Sequence, residues 1–224
     1  MTGSDRLPAA QPRRIGLMGG SFDPVHQAHV ALATAALQQL HLDEVRWIPV
    51  GQPWQKTRQL ASAEHRLEMV RLATAHEPRF VVDPIETKRA GPSYTTDTVR
   101  SLQQCEQGSL GTLADRWFLI IGQDQYANFH TWQGWLELIQ RVTLAVANRA
   151  GQSPQPSPEL SAQPHRMVEL PLPAMTVSST DIRAHLARGD APQILVPTMV
   201  SNAVARYIAH HQLYAPRHPL NGHS

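Results

Sequence analysis

The chain has 224 residues, 42% hydrophobic and 17% charged, with a formal net charge of +2 when its 12 histidines are neutral. That length supports a full core in one domain, and so mild a charge argues against nucleic acid or an anionic membrane as the main partner. The one cysteine, Cys105, excludes an internal disulfide and points to a reducing, cytoplasmic setting, and no apolar run reaches the roughly 18–20 residues that span a bilayer.

Residues 1–13 lack the apolar core of a secretion signal and are expected to be disordered. Ile15 to Met18 reads as a buried strand, and Val30 to Leu37 as a helix. Between them stands GGSFDPVHQAH, residues 19–29, the most informative stretch of the chain. Glu44 to Val50 is a second strand, followed by a polar loop over 51–61. Ser62 is a plausible N-cap for a helix with apolar positions Leu67, Val70, Leu72 and Ala73. Phe80 to Val82 is a third strand, and Ser93 opens a helix running past Leu102, with Cys105 in its polar continuation. Trp117 to Ile121 and Val142 to Ala147 are continuous apolar runs, as expected of strands buried on both faces.

Residues 151–165, rich in proline, serine and glutamine, read as a mobile loop. A strand near Met167 to Leu170, a helix opened by Ser178, and a last helical segment from about Thr198 to Leu213 complete the core. Residues 215–224 form a tail, with Leu213 and Tyr214 able to dock. Strands alternating with helices predict an α/β fold: a Rossmann-like, doubly wound, mostly parallel sheet flanked by helices, with a small C-terminal helical part. One domain then spans 14–214. Ligands of such sheets sit at the carboxyl ends of the strands, where Gly19-Gly20, Gly122-Gln123-Asp124 and Asn148-Arg149 should converge.

A glycine pair at a strand end allows a tight turn and close approach of a ligand. The helix entrance behind it offers unsatisfied N–H groups and a positive dipole end. His26 and His29, three apart, share one helix face there. The arrangement suits a polyphosphate. Singly, each histidine reads as a surface or capping residue. A metal reading also stays open, with ligand-like spacing and Asp23 nearby, although no third and fourth ligands stand out. Ser178, Ser179 and Thr180 at a helix start either cap it or, with Arg183 one turn in, form an anion cradle. Trp132 reads alone as a packed aromatic, Asp124 as an N-cap, and Lys56 as a solvated loop lysine that could instead close over a triphosphate.

GGSFDPVHQAH resembles the (H/T)xGH signature of the nucleotidylyltransferase superfamily, and VSSTDIR, residues 177–183, is similar to its ISSTxxR element. Pro92-Ser93-Tyr94-Thr95, Gly122-Gln123-Asp124 and Trp132, eight residues after Asp124, resemble the bacterial nicotinate-mononucleotide adenylyltransferases. The likeness runs from about Arg14 to Tyr214. Two phosphate-binding elements about 150 residues apart, each in the right strand and helix context, make a specific signal together.

The resemblance implies catalytic roles for His26, His29 and Arg183. The histidines would contact ATP phosphates, and Ser179, Thr180 and Arg183 the β- and γ-phosphates. Gly19, Gly20, Ser21, Phe22, Lys56 and Gly122 would contribute to substrate binding. Trp132 would stack on a nicotinate ring, with Tyr94 and Thr95 beside it and Thr95 reaching the ring carboxylate. Asp124 would hold a ribose, and Arg149 a phosphate of the mononucleotide or adenine-side groups. Mg²⁺ would arrive carried on ATP.

Three positions depart from the pattern. Ala28 stands where the signature has glycine, which adds only a methyl group, and Val177 stands for isoleucine. The loop reads Gln52-Pro53-Trp54-Gln55-Lys56 where the family has a Pro-Pro-His-Lys-like run, so roles credited to that histidine do not carry over.

The expected reaction is adenylyl transfer from ATP to nicotinate mononucleotide, giving nicotinate adenine dinucleotide and pyrophosphate in NAD biosynthesis. The partners are then ATP and the mononucleotide, with no nucleic acid and no membrane, and a homo-oligomer stays open. The nearest rival is the same chemistry on nicotinamide mononucleotide, phosphopantetheine or an alcohol phosphate. A non-catalytic nucleotide-binding module is a remoter one. An aminoacyl-tRNA synthetase fragment would need an anticodon-binding region and a lysine-rich second signature, and the chain has neither.

Overall fold

The computed structural model describes residues 12–51, 60–110, 115–148, 152–173 and 175–216. Within these, six strands form one sheet: β1 (Arg14–Gly20), β2 (Glu44–Pro49), β3 (Phe80–Val82), β4 (Arg116–Gly122), β5 (Thr143–Ala147) and β6 (Met167–Leu170). Their spatial order is β3-β2-β1-β4-β5-β6, and every neighbouring pair is parallel. The chain builds outward from β1 through β2 to β3, then crosses back to β4 on the other side. The order therefore reverses between β1 and β4. Side chains diverge there, and the loops after the two strands leave in opposite directions, opening a crevice.

The helices are α1 (Gln27–Gln39), α2 (Ala63–Thr74), α3 (Thr95–Leu110), α4 (Gln123–Ala127), α5 (Trp135–Arg141), α6 (Pro158–Ser161), α7 (Ser179–Ala187) and α8 (Asn202–His210). Two single 3₁₀ turns, Phe129–Thr131 and Pro192–Leu195, complete the elements. The period of two along the strands sorts the core into two layers. Ile15, Leu17, Trp117, Leu119, Ile121, Leu144 and Val146 face one layer with Val99 and Leu102 of α3, Tyr126 of α4, and Leu138 and Ile139 of α5. Met18, Val45, Trp47, Phe118, Ile120 and Ala145 face the other with Ala33, Ala36 and Leu37 of α1, Met69 and Val70 of α2, Ile182 of α7, and Val204 and Ile208 of α8. Both faces are covered, so the central strands read as unbroken apolar runs. Each fully buried large side chain contributes about 1.5–3 kcal/mol.

Several elements differ from the sequence expectation. Two short helices, α4 and α5, fill the span between β4 and β5 that the sequence left without an element. The stretch expected to be a loop at 151–165 contains the single turn α6. Ser157 caps it by accepting the Leu160 N–H, Pro158 takes its first turn, and Leu160 is fully buried. The helix expected from Ser93 begins at Thr95, and the last helix is confined to Asn202–His210 because the 3₁₀ turn and the bend through Val200 precede it. Leu72 is half-buried, while Arg66, a residue the apolar pattern passed over, is 1% exposed. Cys105 lies exposed on α3, as expected. Of the segment expected to be disordered, 1–13, residues 1–11 lie outside the described residues, but Arg13 is tied to the start of β4: its N–H donates to Asp115 and its carbonyl accepts from Arg116. Most of the tail, 217–224, also lies outside the described residues, and Leu213 and Tyr214 do dock against the core.

Candidate active site

The carboxyl ends of β1 and β4 open into a cavity of about 520 Å³. Of the residues singled out from sequence, Gly19, Gly20, Ser21, His26, His29, Tyr94, Thr95, Gly122 and Trp132 line it. They come from four separate segments, and the β1–β4 reversal is what brings them together.

Ser21 to His26 connect β1 to α1. Phe22 takes left-handed backbone at φ +45, a conformation costly for a bulky residue, and Asp23–Pro24 is a cis peptide. His26 is the N-cap of α1 in extended conformation, and His29 is the third helical residue. The two rings stack with centroids 3.7 Å apart. His29 Nδ1 accepts the His26 backbone N–H at 3.2 Å. An accepting Nδ1 carries no proton, so in the neutral ring the proton sits on Nε2. His26 is 9% exposed, and burial lowers its imidazole to about 4. Its Nδ1 is buried with no hydrogen-bond partner among the described residues. His26 is thus a neutral donor at pH 7, and His29, with Nδ1 accepting, has Nε2 left to donate. The helix-entrance N–H groups are less available than the sequence suggested: Gln27 N–H donates to the Met199 carbonyl and His29 N–H to that of His26. Ala28 lines the cavity with its methyl group.

Phe22, expected to contact substrate, does not line the cavity. Its side chain is 1% exposed and sits in the core under the histidines, edge-on to His29 at 5.1 Å and tilted against Trp47 at 5.4 Å. An aromatic side chain after the glycine pair supports the histidines from behind.

The second element reaches the same place from 155 residues away. Ser178 caps α7, accepting the Asp181 N–H and donating to the Asp181 carboxylate. Ser179 Oγ donates to the Pro24 carbonyl at 2.9 Å. Arg183 donates to the Asp23 carbonyl at 2.6 Å and to Thr180 Oγ1 at 3.1 Å. The three hydroxyls therefore divide their work. Ser178 is a cap and Ser179 a clamp on the histidine loop, while Thr180 accepts from Arg183 and keeps its own O–H hydrogen to donate. None of Ser179, Thr180 and Arg183 lines the large cavity; they stand at its edge, beside the loop that carries the histidines.

At the other end, Trp132 is backed by the buried Phe129 ring, stacked at 5.0 Å. Thr96 Oγ1 donates to the Gln133 carbonyl at 2.8 Å, which fixes the Trp132 segment opposite the start of α3 and hence opposite Tyr94 and Thr95. Asp124 is not an N-cap; Gly122 holds that position and Asp124 lies exposed in the first turn of α4. It is the neighbouring Gln125 that lines the cavity, accepting the Gly122 N–H. Lys56 and Arg149 lie outside the described residues.

Sequence reasoning missed three residues of the site. Ser93 is buried, lines the cavity, and its Oγ has no hydrogen-bond partner among the described residues. Glu86 also lines it; its carboxyl accepts from Thr98 Oγ1 at 2.8 Å, and burial raises it above the usual carboxylate value. Arg66 donates to the carbonyls of Ser21, Gly51 and Ala61 at 2.9–3.1 Å, tying both ends of the loop after β2 to the loop after β1. Ser93 lies inside the Pro92–Thr95 motif but was given no role there, and no motif marks Glu86 or Arg66. A charged residue inside a helix's apolar stripe was the one signal for Arg66.

Among the described residues, no group of three His, Cys, Asp or Glu side chains could hold a metal ion, and no helix is long and apolar enough to cross a membrane. The metal reading of His26 and His29 accordingly finds no further ligands there.

The chain is similar to known proteins over most of its length. Residues 17–185 match the cytidylyltransferase-like family. The chain is 56% identical over 210 residues to a protein of Methylibium petroleiphilum named "probable nicotinate-nucleotide adenylyltransferase", covering 94% of this chain and 96% of that one. A Bordetella petrii protein of the same name is 47% identical, covering 90% and 99%. A solved structure of Plasmodium falciparum nicotinic acid mononucleotide adenylyltransferase complexed with NaAD shares the fold, with a TM-score of 0.71 at 16% identity, over 90% of this chain and 97% of that one.

Proposed function

The chain belongs to the cytidylyltransferase-like family and to its nicotinate-nucleotide adenylyltransferases, and from that premise we propose how its site carries out adenylyl transfer in NAD biosynthesis. The enzyme joins ATP to nicotinate mononucleotide, and pyrophosphate leaves. The observation that carries the site assignment is the clamp of Ser179 and Arg183 on the Pro24 and Asp23 carbonyls, which makes the two phosphate elements one structure.

The acceptor's 5′-phosphate is already ionised, so its attack on the α-phosphorus needs no general base. The protein's work is positioning and charge stabilisation. His26 and His29, as neutral imidazoles, donate to the α-phosphate and the departing pyrophosphate. Thr180 and Arg183 hold the outer phosphates, a charge-assisted contact of about 1.5–3 kcal/mol. The glycine pair admits the nucleotide against the end of β1, with Ser21 and Gly122 at its rim. Trp132 stacks on the pyridine ring while Tyr94 and Thr95 meet its carboxylate. Asp124, exposed in the first turn of α4, serves a ribose. Lys56 closes over the triphosphate, and Arg149 meets a phosphate on the acceptor or adenine side. Mg²⁺ enters as part of the ATP complex, held by phosphate oxygens and water. The setting is cytoplasmic.

The test is pyrophosphate release from purified protein with ATP, Mg²⁺ and nicotinate mononucleotide. Release is expected, at a higher kcat/KM than with nicotinamide mononucleotide. Release with neither acceptor would overturn the assignment.

A further inference from the structure

Beyond α8 the chain reverses. The N–H groups of His211, Gln212 and Leu213 fold back onto the carbonyls of Tyr207, Ala209 and Ile208, and Gln212 and Tyr214 take left-handed backbone at φ +50 and +63. The reversal carries the Tyr214 ring to the loop after β1, where its hydroxyl donates to Asp23 Oδ1 at 2.7 Å across 191 residues. Asp23 is fully buried. The same Oδ1 accepts the Ala61 N–H at 3.2 Å, and the Asp23 backbone carbonyl is the acceptor for Arg183. One residue thus joins the loop after β1, the end of the loop after β2, the guanidinium of α7 and the C-terminal segment. Burial beside the Asp23 carboxylate pushes the phenol well above its ordinary value, so it remains a donor throughout the working range.

We propose that Tyr214 is a positioning residue for the ATP phosphate site: its hydroxyl fixes the Asp23 side chain, and Asp23 in turn fixes the carbonyl that aims Arg183. This rests on the reading of Arg183 as a phosphate ligand. Without the phenol, the loop after β1 loses its tie to the C-terminal segment, and the carbonyl that receives Arg183 is less firmly placed. Tyr214 touches no reacting atom in this scheme, and the acceptor end of the cavity, at Trp132 and Tyr94, is independent of it.

Tyr214→Phe removes one oxygen and keeps the ring. Binding of a non-hydrolysable ATP analogue with Mg²⁺, measured by calorimetry, is expected to weaken roughly five- to tenfold. KM for ATP should rise by a similar factor, while KM for nicotinate mononucleotide stays within about twofold. In an Asp23→Ala background the same change should cost less than about twofold, because the two act through one contact. Unchanged analogue binding in Tyr214→Phe overturns the proposal. So does an equal loss for both substrates, or a full additive loss in the Ala background, since a merely structural role predicts either. Wild-type protein that binds no ATP analogue overturns the phosphate-site reading and this proposal with it. Wild-type protein that binds the analogue but transfers nothing to the mononucleotide overturns only the acceptor assignment, and the binding comparison still decides the role of Tyr214.

Discussion

Burial lowers the His26 imidazole from 6.5 to about 4, so the folded protein resists a proton that the unfolded chain accepts. Above pH 6.5 both states are neutral and the group has no effect. As pH falls from 6.5 toward 4 the unfolded state gains protons first, and the fold loses about 3 kcal/mol through this group, with little further loss below that. Urea midpoints measured across this window should fall in the wild type and flatten in His26→Gln. The partner ring is tested differently. His29→Ala should lower kcat about 100-fold or more, the scale of one lost transition-state donor, while the melting midpoint drops by no more than about 5 °C. A kcat within a few-fold of wild type would remove His29 from the chemistry. The residues legible in the sequence were those whose spacing matched a local pattern: His26 with His29, and Thr180 with Arg183. Glu86 and Arg66 were not legible, nor was a role for Ser93 within its motif, because what makes each matter is burial close to a cavity assembled from distant segments. The inward turn of the Phe22 side chain was not legible either, since the period of an irregular loop does not say which side chain faces the core.

At the level of elements, α7 depends on its cap. Ser178→Ala removes the acceptor for the Asp181 N–H and should cost about 0.5–2 kcal/mol. Because α7 carries both Ser179 and Arg183, the loss should also appear as a raised KM for ATP, checked by melting and steady-state rates on the same sample. Gly51 is a second sensitive point. A β-carbon there would lie 2.3 Å from the Glu86 carbonyl oxygen, a backbone atom that cannot rotate away. Gly51→Ala should therefore destabilise by about 1–3 kcal/mol in chemical denaturation, with the Arg66 contact to the Gly51 carbonyl disturbed as well. Long apolar runs and capped starts made most strands and the longer helices readable. The helices α4 and α5, of five and seven residues, are too short to display a 3.6-residue period, and so were invisible. The single turn α6 hid among prolines that ordinarily mark a loop, although Ser157-Pro158 is itself a helix-start signal.

For the molecule as a whole, alternating strands and helices announced a parallel doubly wound sheet, but not its order. That order rests on contacts between segments far apart in the chain, and it sets the cavity between β1 and β4. It also couples ligand binding to global stability. ATP at about 100 times its dissociation constant should add about 2.7 kcal/mol of stability, read as a rise in melting temperature. Arg183→Ala should lose most of that rise, measured from its own ligand-free midpoint, which falls with the lost clamp on the Asp23 carbonyl.

The clamp between Arg183 and Asp23 spans 160 residues. A ribosome delivers the two partners at quite different moments. By the time α5 has emerged, His26, His29 and the segments that cradle a pyridine ring are all present, yet Thr180 and Arg183, which hold the outer phosphates, have not arrived. On this reading a polypeptide interrupted before α7 has half of its grip on a triphosphate, and the closing stretch of translation supplies the rest.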